Sequence, residues 1–411
     1  MRYLKYIAFI LFISCNQTQY APDFKSSFIK TDIEFLASDA LKGRKIGSPG
    51  ELVAAQYIAK RFNRMGLKSY PGNIDYLQEF SVSKSAHPHA FPAEEGSDEI
   101  VGKNVVAYID NGASKNIVLG GHYDHLGMGE FGSLHMGTPE VHNGADDNAS
   151  GIAALLKLAK DLKSGSKKYN YIFIAFSGEE MGLWGSNYWV KNPDVHISSI
   201  AYMINMDMVG RLNNKRQLLI NGTGTSPIFD ALIDTANTYN FSLVKSESGM
   251  GPSDYSSFYN ANVPVLSFFT GQHEDYHKPT DDVEKINFQG VMDIADYIAN
   301  IVHLANKNEQ IEFTKTKDEE QTRMDFKVTL GVMPDYLYDG EGMRIDGVRE
   351  GRTASNAGIK KGDIVRKIGT VDVMDMMSYM KALGEFEEGQ TVDILINRNG
   401  KEMVKKATFV K

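Results

Sequence analysis

One cysteine, Cys15, is all the thiol chemistry that these 411 residues offer. No intrachain disulfide can form, so the fold has to be held by its core, and a chain of this length can bury one. Positive charge is also scarce. Lys and Arg number 44 against 52 Asp and Glu, a formal net charge of -8, which argues against a broad nucleic-acid surface. The apolar run Tyr6–Ile13 near the start is too short to cross a bilayer as a helix, which takes about 20 residues. Internal repeats and low-complexity tracts are missing too, which excludes solenoids and propellers. What remains is an ordinary globular composition, 42% hydrophobic and 23% charged, sized for one large domain and one small one.

Arg2 and Lys5 stand before that first apolar run, and Ser14-Cys15 close it. A basic start and a short apolar stretch read as an export signal. The step from Phe12-Ile13-Ser14 into Cys15 resembles a bacterial lipoprotein processing site. The resemblance implies cleavage before Cys15 and acylation of its sulfur and new amino group. The exported chain would then be anchored to a cell-envelope membrane, in the periplasm or at the outer membrane. The plainer reading is a signal peptide cut later, with Cys15 discarded. Residues 1–15 are expected to be this signal and residues 16–25 a polar tether.

Periodicity then organises the chain. Leu52, Val53, Ile58, Phe62 and Met65 recur at helical spacing, with Gly66 as a stop. Four short runs rich in Ile, Val and Phe follow: Asn116–Gly120, Tyr171–Phe176, Ile200–Ile204 and Val263–Phe269. Apolar on both faces, they suit central strands of a parallel sheet covered by helices. Ser150–Leu162 reads as a helix capped by Ser150, with Ile152, Leu155, Leu156 and Ala159 inward. Residues 286–306 read as another, with Val291, Ile294, Ile298 and Val302 on one side. The expected fold class is α/β, a mixed, mostly parallel sheet flanked by helices over residues 26–306. Residues 307–325, rich in Lys, Glu, Asp, Gln and Thr, read as a linker. Residues 326–411 read as a small β-rich domain.

Each apolar run leads into residues able to bind a metal. The first ends at His122-Tyr123-Asp124-His125 and the second at Glu179-Glu180. The third ends at Asn205-Met206-Asp207, and the fourth reaches Asp275-Tyr276-His277 through a loop. Asp147 lies in Asn143–Gly151, just before a helix. Parallel strands in an open α/β sheet aim their ends at one crevice, so residues far apart in sequence can meet there. Two imidazoles and three carboxylates suit zinc and exceed what one tetrahedral ion needs. A bridging carboxylate would let the five serve a pair of ions that activate a water. Glu179, beside Glu180, is the natural base for that water. Single histidines at strand ends are more often surface or capping residues, and His125, His135, His142 and His273 are read that way.

These segments, in this order, resemble metallopeptidase family twenty-eight over roughly residues 30–305. Family members include leucyl aminopeptidases, glutamate carboxypeptidase and glutaminyl cyclases. The resemblance implies that His122 and Asp207 hold one zinc, Glu180 and His277 the other, and that Asp147 bridges. Its spacing to Ser150-Gly151 selects Asp147 over Asp146. It further implies Glu179 as general base and Asp124 as the partner that orients His122. Ser253–Phe258 resembles a substrate-lining segment, which puts Asp254 and Tyr255 beside substrate. Many relatives have His where this chain has Tyr255, whose hydroxyl would be a donor to an oxyanion. The implied activity is removal of N-terminal residues from peptides with a free N-terminus.

Residues 326–411 resemble a PDZ domain of the bacterial protease type. The likeness rests on Thr329-Leu330-Gly331-Val332, Val348–Ala354 and Ala357–Val365. It implies a backbone cradle for a peptide C-terminus, with the peptide added as a strand. Three alternatives stand beside the aminopeptidase: a dipeptidase or carboxypeptidase of the same fold, a one-zinc cyclase, and a non-catalytic peptide-binding protein.

Overall fold

The computed structural model describes residues 24–83, 99–135, 137–165, 167–307, 311–316, 328–335, 338, 340–349, 351–374 and 376–410. The expected signal, Cys15 and most of the tether lie outside the described residues.

Two helices come first, α1 (Phe24–Leu36) and α2 (Pro49–Arg64). Helix α2 starts where its sequence says it should. Ser48 accepts the Glu51 N–H at 3.2 Å, and Pro49 fills a first turn that needs no N–H. Gly66, at φ +70, ends it in the left-handed conformation that costs glycine least. Strands β1 (Lys68–Ser69), β2 (Leu77–Ser83), β3 (Glu99–Ile109) and β4 (Asn116–His122) follow, then α3 (Gly151–Leu162), β5 (Asn170–Phe176) and α4 (Trp184–Lys191). The domain is completed by β6 (Ile200–Met206), β7 (Gln217–Asn221), α5 (Phe229–Ala236), β8 (Ser242–Ser246), α6 (Tyr255–Tyr259), β9 (Val265–Phe269) and α7 (Phe288–Ala305).

The large sheet runs β1-β3-β5-β4-β6-β9-β7-β8, with β2 also paired to β3. Its centre, β5-β4-β6-β9, is parallel. Strands β4, β5 and β6 are buried at every position, because helices cover both faces. Helices α1, α2, α3, α5 and α7 pack on one side, with Ile152, Leu155, Ile294 and Ile298 at the contact. On the other, Trp189 of α4 and Phe258 of α6 stack at 5.4 Å. The chain leaves β4 for β5 on one side and then crosses to β6 on the other. That reversal opens a crevice beyond the C-terminal end of β4.

Two sequence expectations need correction. Ser150 does not cap α3: it is helical, and its hydroxyl bonds back to Asp146 O at 2.8 Å and Asp146 Oδ1 at 2.9 Å. Asn148 Oδ1 takes the Gly151 N–H instead, at 3.0 Å. Nor is the stretch after α7 a free polar linker from its start. Ile311 joins the large core, Phe313 meets Tyr259 at 5.6 Å, and the Thr316 N–H bonds the Tyr259 hydroxyl at 3.0 Å. Two apolar side chains in a polar run are enough to dock it.

The C-terminal part has its own sheet and its own core. Strands β10 (Val332–Pro334), β11 (Met343–Val348), β12 (Ile364–Ile368), β13 (Val371–Asp372), β14 (Thr391–Arg398) and β15 (Lys401–Thr408) are all antiparallel. Helices α8 (Thr353–Asn356) and α9 (Met376–Gly384) complete it. Leu330, Ile345, Val365, Ile368, Ile394 and Phe409 fill the centre. Buried Asp363 accepts two bonds from the Arg398 guanidinium at 2.6 Å each, a fork that locks the 358–363 turn to β14.

Candidate metal centre

Five side chains meet at the crevice. His122 is the last residue of β4, and Asp207 follows β6 directly. Glu180 sits on the turn after β5, where Gly178 at φ +73 reverses the chain. Asp147 comes from the loop that leads into α3, and His277 from the loop after β9, itself in the left-handed region at φ 54. Such strain persists where surrounding contacts overdetermine the backbone. Here the Leu134 N–H holds the His277 carbonyl at 2.9 Å, and the Gly132 carbonyl lies 2.9 Å from His277 Nδ1. A carbonyl only accepts, so Nδ1 carries a hydrogen there, and Nε2 is the ring nitrogen that faces the acids.

Four separations define the geometry. His122 Nε2 lies 3.2 Å from Asp147 Oδ1 and 3.3 Å from Asp207 Oδ1. His277 Nε2 lies 3.2 Å from Asp147 Oδ2 and 3.2 Å from Glu180 Oε2. A tetrahedral zinc with ligands at about 2.0 Å sets them roughly 3.3 Å apart. Each histidine is thus one tetrahedral edge from two carboxylate oxygens. Asp147 is shared, one oxygen toward each imidazole.

The electrostatics call for cations. Burial works against a charge on His122, yet Glu179 and Asp207 outweigh it and hold its pKa well above the usual value. Burial likewise opposes charge on His277, and Glu180 and Asp147 overcome it. In return, bonds from His122 and His277 offset the burial of Asp147 and hold it well below the ordinary carboxylate range. Glu180 is brought down to about 2, burial being outweighed by His277. Acids this close require positive charge among them, and dications meet that need better than two protons. The donor types, the edge lengths and the charge therefore all fit zinc. Glu179 differs from its neighbour. Burial, opposed by His122 and reinforced by Glu180, holds its carboxyl well above the usual range.

A shell of buried groups fixes these loops. Arg44 is 1% exposed. Its guanidinium donates to Tyr123 O at 2.7 Å, Asn143 O at 2.6 Å, Gly144 O at 3.1 Å and Leu36 O. It sits on a turn where Lys42, Gly43 and Arg44 are all left-handed, and Gly127 N–H returns a bond to Gly43 O at 3.0 Å. Burial lowers the Arg44 pKa to about 10, against the pull of Asp124 and Asp147. Asp281 accepts the N–H groups of Asp146 and Asp147 at 3.0 Å each, which sets the backbone of the shared acid.

The other expected residues divide. Asp146 turns away, bonded to Gly210 N–H at 2.6 Å and to His273 at 3.1 Å. Asp124 is fully buried, but its carboxylate is 3.7 Å from His122 Nδ1. Its main-chain oxygen is closer, at 3.2 Å, and the carboxylate accepts the Glu179 N–H at 3.1 Å. Asp124 therefore holds the turn of Glu179 as well as facing His122. Burial raises Asp254 to about 7, with His122 pulling the other way. Tyr255 packs inward. It is 2% exposed in the apolar cluster of Trp189 and Phe258, and its hydroxyl lies against Gly251, because the first turn of α6 presents that face to the core. The surface reading of the spare histidines also fails for three of them. His125 and His142 are buried, and His273 bonds Asp146.

Residues 104–302 match peptidase family M28, and residues 311–406 match the PDZ domain family. Among similar proteins is Aminopeptidase YwaD of Bacillus subtilis (strain 168), 29% identical over 188 residues, or 43% of this chain and 41% of that one. Another is Leucine aminopeptidase 2 of Trichophyton rubrum, 27% identical over 320 residues, or 66% and 61%. The chain spans about half the length of the curated relatives it matches. Solved structures with the same fold include BSAP, a zinc aminopeptidase from Bacillus subtilis. Its TM-score is 0.53 at 18% identity, covering 70% of this chain and 96% of that one. A Porphyromonas gingivalis glutaminyl cyclase gives TM-score 0.54 at 17% identity, covering 69% and 98%.

Proposed function

We propose, from the premise that residues 104–302 form a peptidase family M28 domain and residues 311–406 a PDZ domain, that the chain is a two-zinc aminopeptidase. The observation that carries this reading is the shared carboxylate. Asp147 lies 3.2 Å from each of two histidines, and each histidine has a second acid at the same range. His122 and Asp207 would hold one ion, His277 and Glu180 the other, with Asp147 between. Zinc bound there would polarise the scissile carbonyl and acidify a water. Glu179 shares its surroundings with His122 and Glu180, outside the four contacts above. With cations beside it, its carboxylate would take a proton from that water and return it to the leaving amine. Water adds to the carbonyl carbon, the C–N bond breaks, and a free N-terminal residue and a shortened peptide result.

The rim is most open at Asp207 and His277, whose side chains are 17% and 14% exposed. The same five ligands would serve a carboxypeptidase of this fold, so substrates decide which end of the peptide is cleaved. A panel of aminoacyl-nitroanilides, with and without chelator, tests this. Cleavage abolished by chelator and restored by zinc is expected. Turnover that survives chelation, or no turnover with any member, would remove the reading.

Two further parts of the proposal concern the ends of the chain. Strand β10 lies at one edge of the small sheet, paired with β11 alone among the described strands. The Gly331 carbonyl takes the Arg349 N–H at 2.8 Å, and the Arg352 side chain lies over Gly331. That edge would accept a peptide C-terminus as an added strand, and loss of binding on C-terminal amidation would test it. Export and lipid attachment at Cys15 would place the enzyme on a cell-envelope membrane. A Cys15→Ser variant should then leave the membrane fraction.

A further inference from the structure

His125 is the buried group that the mechanism leaves over. It is 2% exposed, and its Nδ1 lies 2.7 Å from Glu180 Oε1 and 3.9 Å from Asp147 Oδ2. His125, Asp147 and Glu180 stand close enough to be taken for three ligands of one ion. The distances decide otherwise. Two ligands on one zinc at about 2.0 Å and 2.7 Å apart would close their angle to about 85°, far from tetrahedral. As a charge-assisted hydrogen bond, 2.7 Å is the expected length. The four separations assigned to shared ions are all 3.2–3.3 Å.

We propose that His125 is a positioning residue. It donates Nδ1–H to Glu180 Oε1, and this leaves Oε2 turned toward His277 and the second ion. The carboxylate has no hydrogen to offer, so the imidazole must be the donor. The residue is fixed by its backbone and by packing. Its main-chain N–H bonds Arg44 O at 3.3 Å, and its ring Cδ2 lies over Gly144. A Cβ on Gly144 would come 2.5 Å from that atom. Gly144 opens the loop that carries Asp147, so His125 ties two ligand-bearing loops together. Partners in this position around zinc change metal affinity by about 10–100-fold when removed.

This inference rests on the two-zinc reading, and the test separates the two. Metal-free wild type, His125→Leu and His125→Asn are titrated with zinc against a chromophoric chelator, and each is melted without metal. Leu removes the donor, whereas the Asn amide nitrogen reaches the place of Nδ1. Wild type should bind two ions. In His125→Leu one of them should weaken by about 10–100-fold while the other stays within a few fold, and His125→Asn should recover most of the loss. A purely structural role would lower the metal-free melting temperature and weaken both ions alike. That outcome, or unchanged affinities, overturns the proposal. A wild-type count of one ion would strike the paired-zinc reading instead. His125 would then be judged on that single ion: unchanged affinity in His125→Leu overturns it, and a loss reversed by Asn supports it. If His125→Leu does not fold, Asn against Gln decides, because Gln carries its amide to the place of Nε2 and must fail where Asn succeeds.

Discussion

Replacing Arg44 with Met removes the cation that the site loops are built around. Four carbonyls lose their donor, those of Leu36, Tyr123, Asn143 and Gly144. Hydrogen bonds from a charged group contribute about 1.5–3 kcal/mol each, so the gross loss is roughly 6–12 kcal/mol. Against this, the variant no longer has to bury a guanidinium, a cost of several kcal/mol, and Met keeps part of the packing. A net loss of about 3–5 kcal/mol remains, the range found when one partner of a buried ionic arrangement is deleted. For a domain of this size that is about a 10 °C fall in melting temperature. Calorimetric melts of metal-free protein give the value directly. Zinc-loaded melts should fall further, because the loops of His122 and Asp147 both hang on this side chain. Arg44→Lys keeps the charge, but one nitrogen cannot span four carbonyls, and it should lose about half as much. An Arg44→Met variant melting within 2 °C of wild type would show that Arg44 is no keystone.

Three other outcomes follow from the same geometry. Glu179→Gln keeps its size and should retain both ions while turnover falls by at least about 10³-fold; near-normal turnover would send the search for the base elsewhere. Gly144→Ala should cost about 2 kcal/mol or more, since φ is +54 there and a Cβ would come 2.1 Å from Asp147 O; an unchanged melting curve would contradict it. Burial raises Asp363, but the two Arg398 bonds and the Lys360 N–H outweigh it, so its folded pKa lies below the usual carboxylate value. The sign follows. This pair stabilises the C-terminal domain fully above about pH 4 and stops doing so as pH falls through the lower, folded pKa. Asp363→Asn should cost about 2 kcal/mol at pH 7, with the gap to wild type narrowing in acid; a gap independent of pH would refute the assignment.

Much of the fold was legible because central parallel strands have to be apolar on both faces. Asn116–His122, Asn170–Phe176 and Ile200–Met206 stand out for that reason, and chemistry-bearing residues follow each of them at once. The ligand candidates were visible by position alone, since strand ends converge whatever the loops do. What stayed hidden depends on contacts across long separations. Arg44 reads as one more basic residue in a polar loop. Three of its four partners lie 79 to 100 positions away, and only Gly43 hints at the left-handed turn that aims it inward. His125 looked like a surface histidine because nothing in Gly121–Leu126 says that Glu180 will stand 2.7 Å from it. Ile311 and Phe313 were lost in a charged stretch whose composition spoke louder than its two apolar members.

The central claim is that one carboxylate, Asp147, serves two cations at once. Counting zinc by elemental analysis on wild type and Asp147→Asn puts it to the test. Two ions per wild-type chain are expected, with both affinities reduced together in the variant. One ion per fully active chain, or a variant that keeps either site at wild-type strength, would contradict it.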